Sequence, residues 1–303
     1  MVYVRETTQG SAAIPVTEQR WRQRSGARDF GRALFRAAPG RIGGCIILGL
    51  IVIALLAPIV APYSPVKIDI PNRLTGPSAH HLFGTDDIGR DVFSRVLSGS
   101  RISLRVGLVS VSIALAIGVT LGMIAGFYGG IVDLIVMRVV DIMLAFPGFL
   151  LALAIVAMLG PSLTNAMIAV GIGGASGFAR LVRGSVLSVK EKDYVTAAHV
   201  IGATNGRIMS KAVLPNVLAP IVVLATLEFP VAILAAASLS FLGLGAQPPS
   251  PEWGSMLVSG RTYITTAPWL INFPGLAIFI TVLGFNLFGN AVRDAMDPRL
   301  RQR

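Results

Sequence analysis

The chain has 303 residues, of which 53% are hydrophobic and 14% are charged, and its mean hydropathy is +0.72. A soluble domain carries about 25% charged residues, and a chain this apolar could not cover its core with polar surface. Composition therefore excludes an ordinary soluble protein and predicts one polytopic membrane domain. The formal charge of +11 permits two interpretations, nucleic-acid binding or basic residues collected on one side of a membrane.

The N-terminal segment, residues 1–41, holds eight arginines and lacks the apolar core and cleavage site of a secretory signal. Phe30, Leu34 and Phe35 fall at helical spacing among these arginines. This pattern predicts a short amphipathic helix at about 28–38 that lies on an anionic membrane face. The alternative interpretation is a disordered basic tail that touches lipid only weakly.

Six apolar runs follow, and each approaches the length of about 20 residues that spans a bilayer core. The sequence therefore predicts an all-α membrane protein with six transmembrane helices and with both termini on the same side. A tight turn at 160–162 separates the third run from the fourth. The runs are Ile42–Ala61, Ile102–Phe127, Val139–Leu159, Leu163–Leu181, Val217–Leu239 and Leu270–Phe288.

The charges fix the expected orientation of this six-span domain, residues 42–291. If the N-terminus lies inside, 19 Lys and Arg fall inside and seven outside, which accounts for all 26. This asymmetry satisfies the positive-inside rule and predicts that both termini, including the tail 292–303, are cytoplasmic. Aromatic residues do not interleave with the charges, so nucleic-acid binding is excluded. The large hydrophilic segments are then 62–101 and 240–269 outside and 183–215 inside.

Motifs for several chemistries are absent from the sequence. It contains no GxxxxGK[ST] phosphate loop, no GxSxG and no HExxH, so we predict neither ATP binding by that route nor catalysis by this chain. His80 and His81 lie near Asp86 and Asp87, but adjacent histidines rarely converge on one ion without a third ligand. We therefore interpret them as solvated side chains beside helix-capping carboxylates and predict no metal site.

The inner segment 183–215 predicts a short helix-turn-helix. Asp193 is placed to cap a helix at 194–201, Gly202 ends it, and a second helix leads to Leu214 and Pro215. Small residues allow a partner surface to approach this helix closely; they are Ala197, Ala198, Gly202 and Ala203.

This stretch resembles the EAA motif of bacterial ABC-importer permeases, in which Glu-Ala-Ala, three residues, Gly, nine residues, Ile, one residue and Leu-Pro follow one another. Two positions depart from it, since Thr196 replaces the Glu and Ala212 replaces the Ile. The resemblance implies that the helix sits in a groove of an ATPase subunit and transmits nucleotide-driven motion. The implied coupling residues are Tyr194, Thr196, Ala197, Ala198, Gly202, Ala203, Leu214 and Pro215.

Three further stretches, within 81–95, 238–254 and 286–299, are similar to the second permease subunit of dipeptide, oligopeptide, glutathione and nickel importers. The resemblance covers roughly 35–300. It implies a type I importer fold in the bacterial inner membrane and a heterodimer with a homologous permease. It also implies two ATPase subunits, which would bind ATP and magnesium, and an extracytoplasmic peptide-binding protein. A di- or oligopeptide is the expected substrate, with glutathione or a nickel chelate as alternatives; the runner-up is a standalone secondary transporter.

The sequence also suggests a few candidate residues for the pore or its gate. Glu228 is the one acidic residue deep in an apolar run, which makes it a functional-site hypothesis; the alternative is a carboxylate that faces a vestibule or a neighbouring subunit. Phe146 and Pro147 form a pore hinge or a kink in plain bundle packing. Gln247 and Trp253 belong to a re-entrant or gate segment, although Trp253 could also be an interfacial anchor.

A glycine repeat in the second run predicts close helix packing. Gly118, Gly122 and Gly126 are spaced four residues apart and so share one helix face. The favoured partner is another helix of the same chain, and a helix of another subunit is the alternative.

Overall fold

The computed structural model describes residues 31–32 and 34–296. Within that part of the chain the protein is helical and has no β-strand. The predicted N-terminal helix at 28–38 and the C-terminal tail lie partly outside the described residues. The helices are α1 (Ala38–Val60), α2 (Val92–Tyr128), α3 (Gly130–Ala145), α4 (Gly148–Leu159), α5 (Leu163–Lys190), α6 (Asp193–Val200), α7 (Asn205–Phe241), α8 (Trp253–Arg261) and α9 (Trp269–Met296).

Five helices are long and apolar enough to cross a membrane, namely α1, α2, α5, α7 and α9; the pair α3 and α4 makes a sixth span if the two are counted together. This last pair is bent by 93°, so the kink that the sequence predicts at Pro147, within the third run at 139–159, is a sharp break between two helices. The break falls at Phe146, whose ψ of 137° is extended. Proline disfavours helical backbone at the preceding residue and cannot donate a backbone hydrogen bond, which explains why the helix ends before Pro147.

Two of the helices begin or end inside segments that the hydropathy pattern gives to loops. α2 starts at Val92 because Asp91 accepts a hydrogen bond from the amide of Ser94 at 2.8 Å, which caps its first turn. α5 continues to Lys190, nine residues past Leu181, where the predicted fourth span ends. Both helices therefore extend beyond the apolar runs of the sequence, and each has polar residues in its extension.

The glycine repeat of α2 packs against α5. A Cβ atom on Gly118 or on Gly122 would lie 2.5 Å from a carbonyl oxygen of α5, that of Ala175 or Ala179. Gly126 continues the same contact beside Val186. The repeat is therefore intrachain helix packing, as the favoured interpretation predicts, and it brings two helix backbones into direct contact.

The chain between α1 and α2 folds over one end of the bundle together with α8. The indole Nε1 of Trp253 donates to the carbonyl oxygen of Val96 at 3.0 Å, and that of Trp269 donates to Thr85 at 3.1 Å. Phe83 and Phe273 stack with ring centroids 3.8 Å apart. We call this region, residues 61–91 with α8, the capping region.

We predict that Gly122→Ala destabilises the protein, because the added methyl group must displace the α5 backbone at Ala179. Overpacking of this kind costs about 1–3 kcal/mol. Gly184→Ala on α5 is the matched control, since a Cβ there meets nothing within 4 Å and alanine favours helix over glycine by about 0.5–1 kcal/mol. Thermal unfolding of the two purified variants should show a lowered midpoint for the first only. An unchanged midpoint for Gly122→Ala would show that the contact is looser than described.

Candidate functional site

The segment that follows α5 forms the predicted helix-turn-helix. Lys192, not Asp193, occupies the N-cap position of α6, and no side chain caps the helix there. The prediction that Asp193 is the cap is therefore wrong, although its charge in the first turn still favours the helix N-terminus. Gly202 ends the helix with a φ of +80°, a left-handed conformation that glycine adopts without strain.

The helix-turn-helix is anchored to the ends of two spans. Val195, Ile208 and Val213 are buried and pack in one cluster with Met123 and Phe127 of α2 and with valines of α5. The Lys190 Nζ atom also donates a hydrogen bond to the carbonyl oxygen of Phe127 at 2.7 Å. Close packing of this kind transmits strain, and it joins α6 to the ends of α2 and α5.

The outer face of α6 and its turn is apolar and exposed. Val200 and Ile201 are each 82% exposed, and Tyr194, Thr196 and Ala197 are exposed beside them. Ala198 and Ala203 are half-buried toward the spans, as is Leu214, whereas Gly202 and Pro215 are exposed. We call the exposed set Tyr194, Thr196, Ala197, Val200 and Ile201 the docking surface; its two most exposed members do not belong to the motif.

A cavity of about 380 Å³ lies between α2, α4, α5 and α7, with Leu144 of α3 at its edge. Small side chains form most of its wall, which leaves room within the bundle. Glu228 of α7 is the one ionisable residue among those that line it, and no hydrogen bond or ion pair to it is found among the described residues. The small lining residues include Ser110, Ala114, Gly173, Gly174, Ala232 and Ala235.

The other candidate pore residues lie outside the cavity wall. Phe146 and Pro147 fall between Leu144 and Gly148, which do line it, so the helix break adjoins the cavity. Trp253 is buried against Gly99, where a Cβ would lie 2.7 Å from its indole ring. Gln247 turns its Nε2 atom back to the carbonyl oxygens of residues 243 and 245. Trp253 and Gln247 therefore stabilise the 240–254 segment and do not line the cavity.

A buried ionic cluster holds the capping region on α2. Asp86 lies 2.6 Å from the Nε atom of Arg90 and 3.7 Å from that of Arg95, and all three are buried. The His81 Nδ1 atom lies 2.9 Å from Asp91, the cap of α2, and His80 is exposed. Burial of both arginines is tolerated because the carboxylate of Asp86 faces them.

The start of α8 carries a second buried carboxylate. Glu252 accepts hydrogen bonds from the amides of Gly254 and Ser255 at 2.9 and 2.8 Å and so caps the helix. Burial raises the pKa of Glu252, and the two amide hydrogen bonds act in the opposite direction.

Residues 118–302 match the family of binding-protein-dependent transport system inner membrane components. The chain belongs to this family. Residues 25–77 also match the N-terminal transmembrane domain of oligopeptide transport permease C. The permease is therefore a multi-pass protein of the inner membrane, as the resemblance to ABC-importer permeases implies.

The permease is similar to named proteins over most of its length. It is 53% identical to the dipeptide transport system permease protein DppC of Alkalihalophilus pseudofirmus, over 86% of each chain. It is 49% identical to the di/tripeptide transport system permease protein DppC of Pseudomonas aeruginosa, over 86% of this chain and 89% of the relative. It is 45% identical to the glutathione transport system permease protein GsiD of Pectobacterium atrosepticum, over 96% of each chain.

The fold of the permease is similar to that of a solved importer. A chain of the inward-facing MetNI methionine ABC transporter aligns with a TM-score of 0.55 and 21% identity, over 67% of this chain and 97% of the other. At this identity the likeness concerns the fold alone. It supports the type I importer-permease architecture that the sequence predicts.

Proposed function

We propose that the permease forms half of the translocation pore of an ATP-driven importer of di- or oligopeptides and couples to ATPase subunits through the docking surface. The observation that carries the proposal is the docking surface itself: exposed aliphatic side chains stand on a helix whose other face is buried against α2 and α5. Exposed apolar patches of this kind mark interaction sites. A partner that moves α6 would therefore act directly on two spans.

The proposed orientation places the docking surface and both termini in the cytoplasm. Lys and Arg collect on the α6 side, whereas the capping region and α8 carry fewer, in the direction that the positive-inside rule requires. ATP and magnesium would then be bound by two ATPase subunits on that side. This chain would be a non-catalytic subunit, and a peptide-binding protein would deliver substrate to the capping region outside.

The proposed second subunit is a homologous permease that covers the open side of the cavity. One face of α3 carries large exposed aliphatic side chains, with Ile131 at 74% and Leu134 and Ile135 above half exposed. The other end of α3 reaches the edge of the cavity at Leu144. Closure of the ATPases on ATP would move α6, and the two permeases would then alternate between inward and outward access.

The proposed substrate follows from the relatives. Two of the relatives named above are dipeptide or di/tripeptide permeases and one is a glutathione permease. Dipeptides and longer peptides are therefore the first candidates, with glutathione as the alternative and a nickel chelate as a weaker one. A standalone secondary transporter would differ in one measurable respect, since it would support uptake in the absence of any ATPase.

We predict that Val200→Asp with Ile201→Asp abolishes co-purification of an ATPase subunit that carries a phosphate-binding loop, because the apolar contact becomes charged. Ile264→Asp is the matched control, as Ile264 is also exposed but lies on the opposite side of the bundle. Tagged variants purified from membranes are compared by immunoblot and by ATP-dependent uptake. Normal uptake by the double variant would contradict the proposed coupling, and uptake with no ATPase bound would contradict the importer itself.

We predict that Glu228→Gln lowers peptide uptake while the ATPase still co-purifies, because the variant removes the only ionisable side chain among the described residues that line the cavity. Uptake of labelled dipeptide into proteoliposomes containing the whole transporter measures the effect. Glu228→Asp, which keeps the charge, is the control and should retain more activity. Full uptake by Glu228→Gln would remove this residue from any role in the pore.

A further inference from the structure

A second site lies on the opposite end of the bundle from the docking surface. A groove of about 830 Å³ separates the end of α1 from the start of α2, and residues 163 and 251 close its sides. Its walls are apolar near the helices and carry hydroxyl groups toward the loop. The apolar wall includes Ala57, Pro58, Ala61, Ile102 and Leu163, and the hydroxyl groups belong to Tyr63, Ser64 and Ser98.

Two arginines project into this groove from one side of α2. Arg101 and Arg105 are four residues apart, which places them one turn and about 6 Å apart along the helix. Both are exposed, and no ion pair to either is found among residues 34–296. They differ in this from Arg90 and Arg95, which face Asp86. The groove therefore holds two guanidinium groups without a counter-charge.

The groove faces away from the cavity. Nine residues separate Arg105 from Ala114, and nine also separate Arg101 from Ser110, a distance of about two and a half helical turns. Side chains at that spacing point to opposite sides of the helix, and both Ala114 and Ser110 line the cavity. The arginines therefore belong to the outside of the bundle, where α1 packs, and not to the wall of the cavity.

The hydropathy pattern places the groove where a bilayer core would meet water. Arg105 falls inside the apolar run that begins at Ile102, and the end of α1 supplies the facing wall. Tyr63, at the mouth, is of the residue type enriched at membrane interfaces. Arginines at this level need an anion, and the anion present in quantity there is the phosphate of a lipid.

We propose that this groove binds the headgroup of an anionic phospholipid such as phosphatidylglycerol. Two guanidinium groups spaced by one turn suit the bidentate recognition of phosphate oxygens. The hydroxyls of Ser64 and Ser98 would face the glycerol, and the acyl chains would follow the exposed aliphatic side of α1, which includes Leu55 and Ile59. Basic pockets between membrane helices recognise lipid headgroups by this chemistry.

The test compares lipid binding by the permease purified with its accompanying subunits. Native mass spectrometry in detergent measures retention of phosphatidylglycerol and of phosphatidylcholine with the same acyl chains. Arg101→Gln with Arg105→Gln should weaken phosphatidylglycerol binding by about 30-fold, which is the product of about a five- to sixfold loss for each arginine near the membrane surface. Arg261→Gln is the matched control, because Arg261 is exposed on the same end but outside the groove.

The remaining arms separate headgroup recognition from misfolding and from binding of a free phosphate. Arg101→Lys with Arg105→Lys keeps both charges but not the bidentate contact. It should retain more of the binding than the glutamine variant and less than the unaltered chain, which guards against misfolding of the glutamine variant. Soluble glycerol 1-phosphate should not displace the lipid, since it lacks acyl chains. The proposal is overturned if phosphatidylcholine binds equally well, if Arg261→Gln loses the lipid to the same extent, or if soluble glycerol phosphate competes fully.

Discussion

The contact between α2 and α5 is the constraint on which the rest of the permease depends. Glycines at 118, 122 and 126 leave no side chain between the two helices, so the backbone of α2 touches the carbonyl oxygens and Cβ atoms of α5. A membrane offers little hydrophobic driving force between helices, and close packing of small residues takes its place. This contact runs along both spans. An element that packs on one end of the helix pair is therefore mechanically joined to the elements at the other end.

Each functional element is attached to this helix pair. The helix-turn-helix packs on one end of the pair through Val195, Ile208 and Val213, and the cavity opens beside the middle of the pair at Ser110 and Gly174. The capping region holds the opposite end of the pair through Asp86, Asp91 and Trp253. An input at α6 would therefore reach the cavity through rigid packing and would need no separate relay.

The sequence predicts much of this arrangement, because the bilayer imposes simple rules. Apolar runs identify the spans, the glycine spacing identifies the close contact, and the EAA-like residues identify the loop between α5 and α7. The sharp break between α3 and α4 is not predicted beyond a kink, since Pro147 marks where a helix ends but not the direction that tertiary packing gives the next one.

Other features depend on contacts between distant residues. The exposure of Val200 and Ile201 is not predicted. All three residues of this helix and its turn are aliphatic, and the sequence does not show that Val195 is buried while Val200 and Ile201 are exposed. Arg90 and Arg95 are charged residues of a type that is rarely buried, whereas Asp86 draws both into a buried cluster. Residue type alone puts the cap of α6 on Asp193, and the actual turn begins one residue earlier. Such outcomes are set by folding of the capping region and loop onto α2, which periodicity does not reveal.

The central claim is that the docking surface and the α2–α5 pair move as one body. Spin labels at Val200 and at Ile117, which is exposed on α2, would measure the distance between them by pulsed electron paramagnetic resonance after Cys45, the only cysteine, is replaced by Ser. In the whole transporter we expect the same distance distribution without nucleotide and with bound ATP, while the distance from Val200 to the second permease changes. A shift in the Val200–Ile117 distance between the two states would contradict the account.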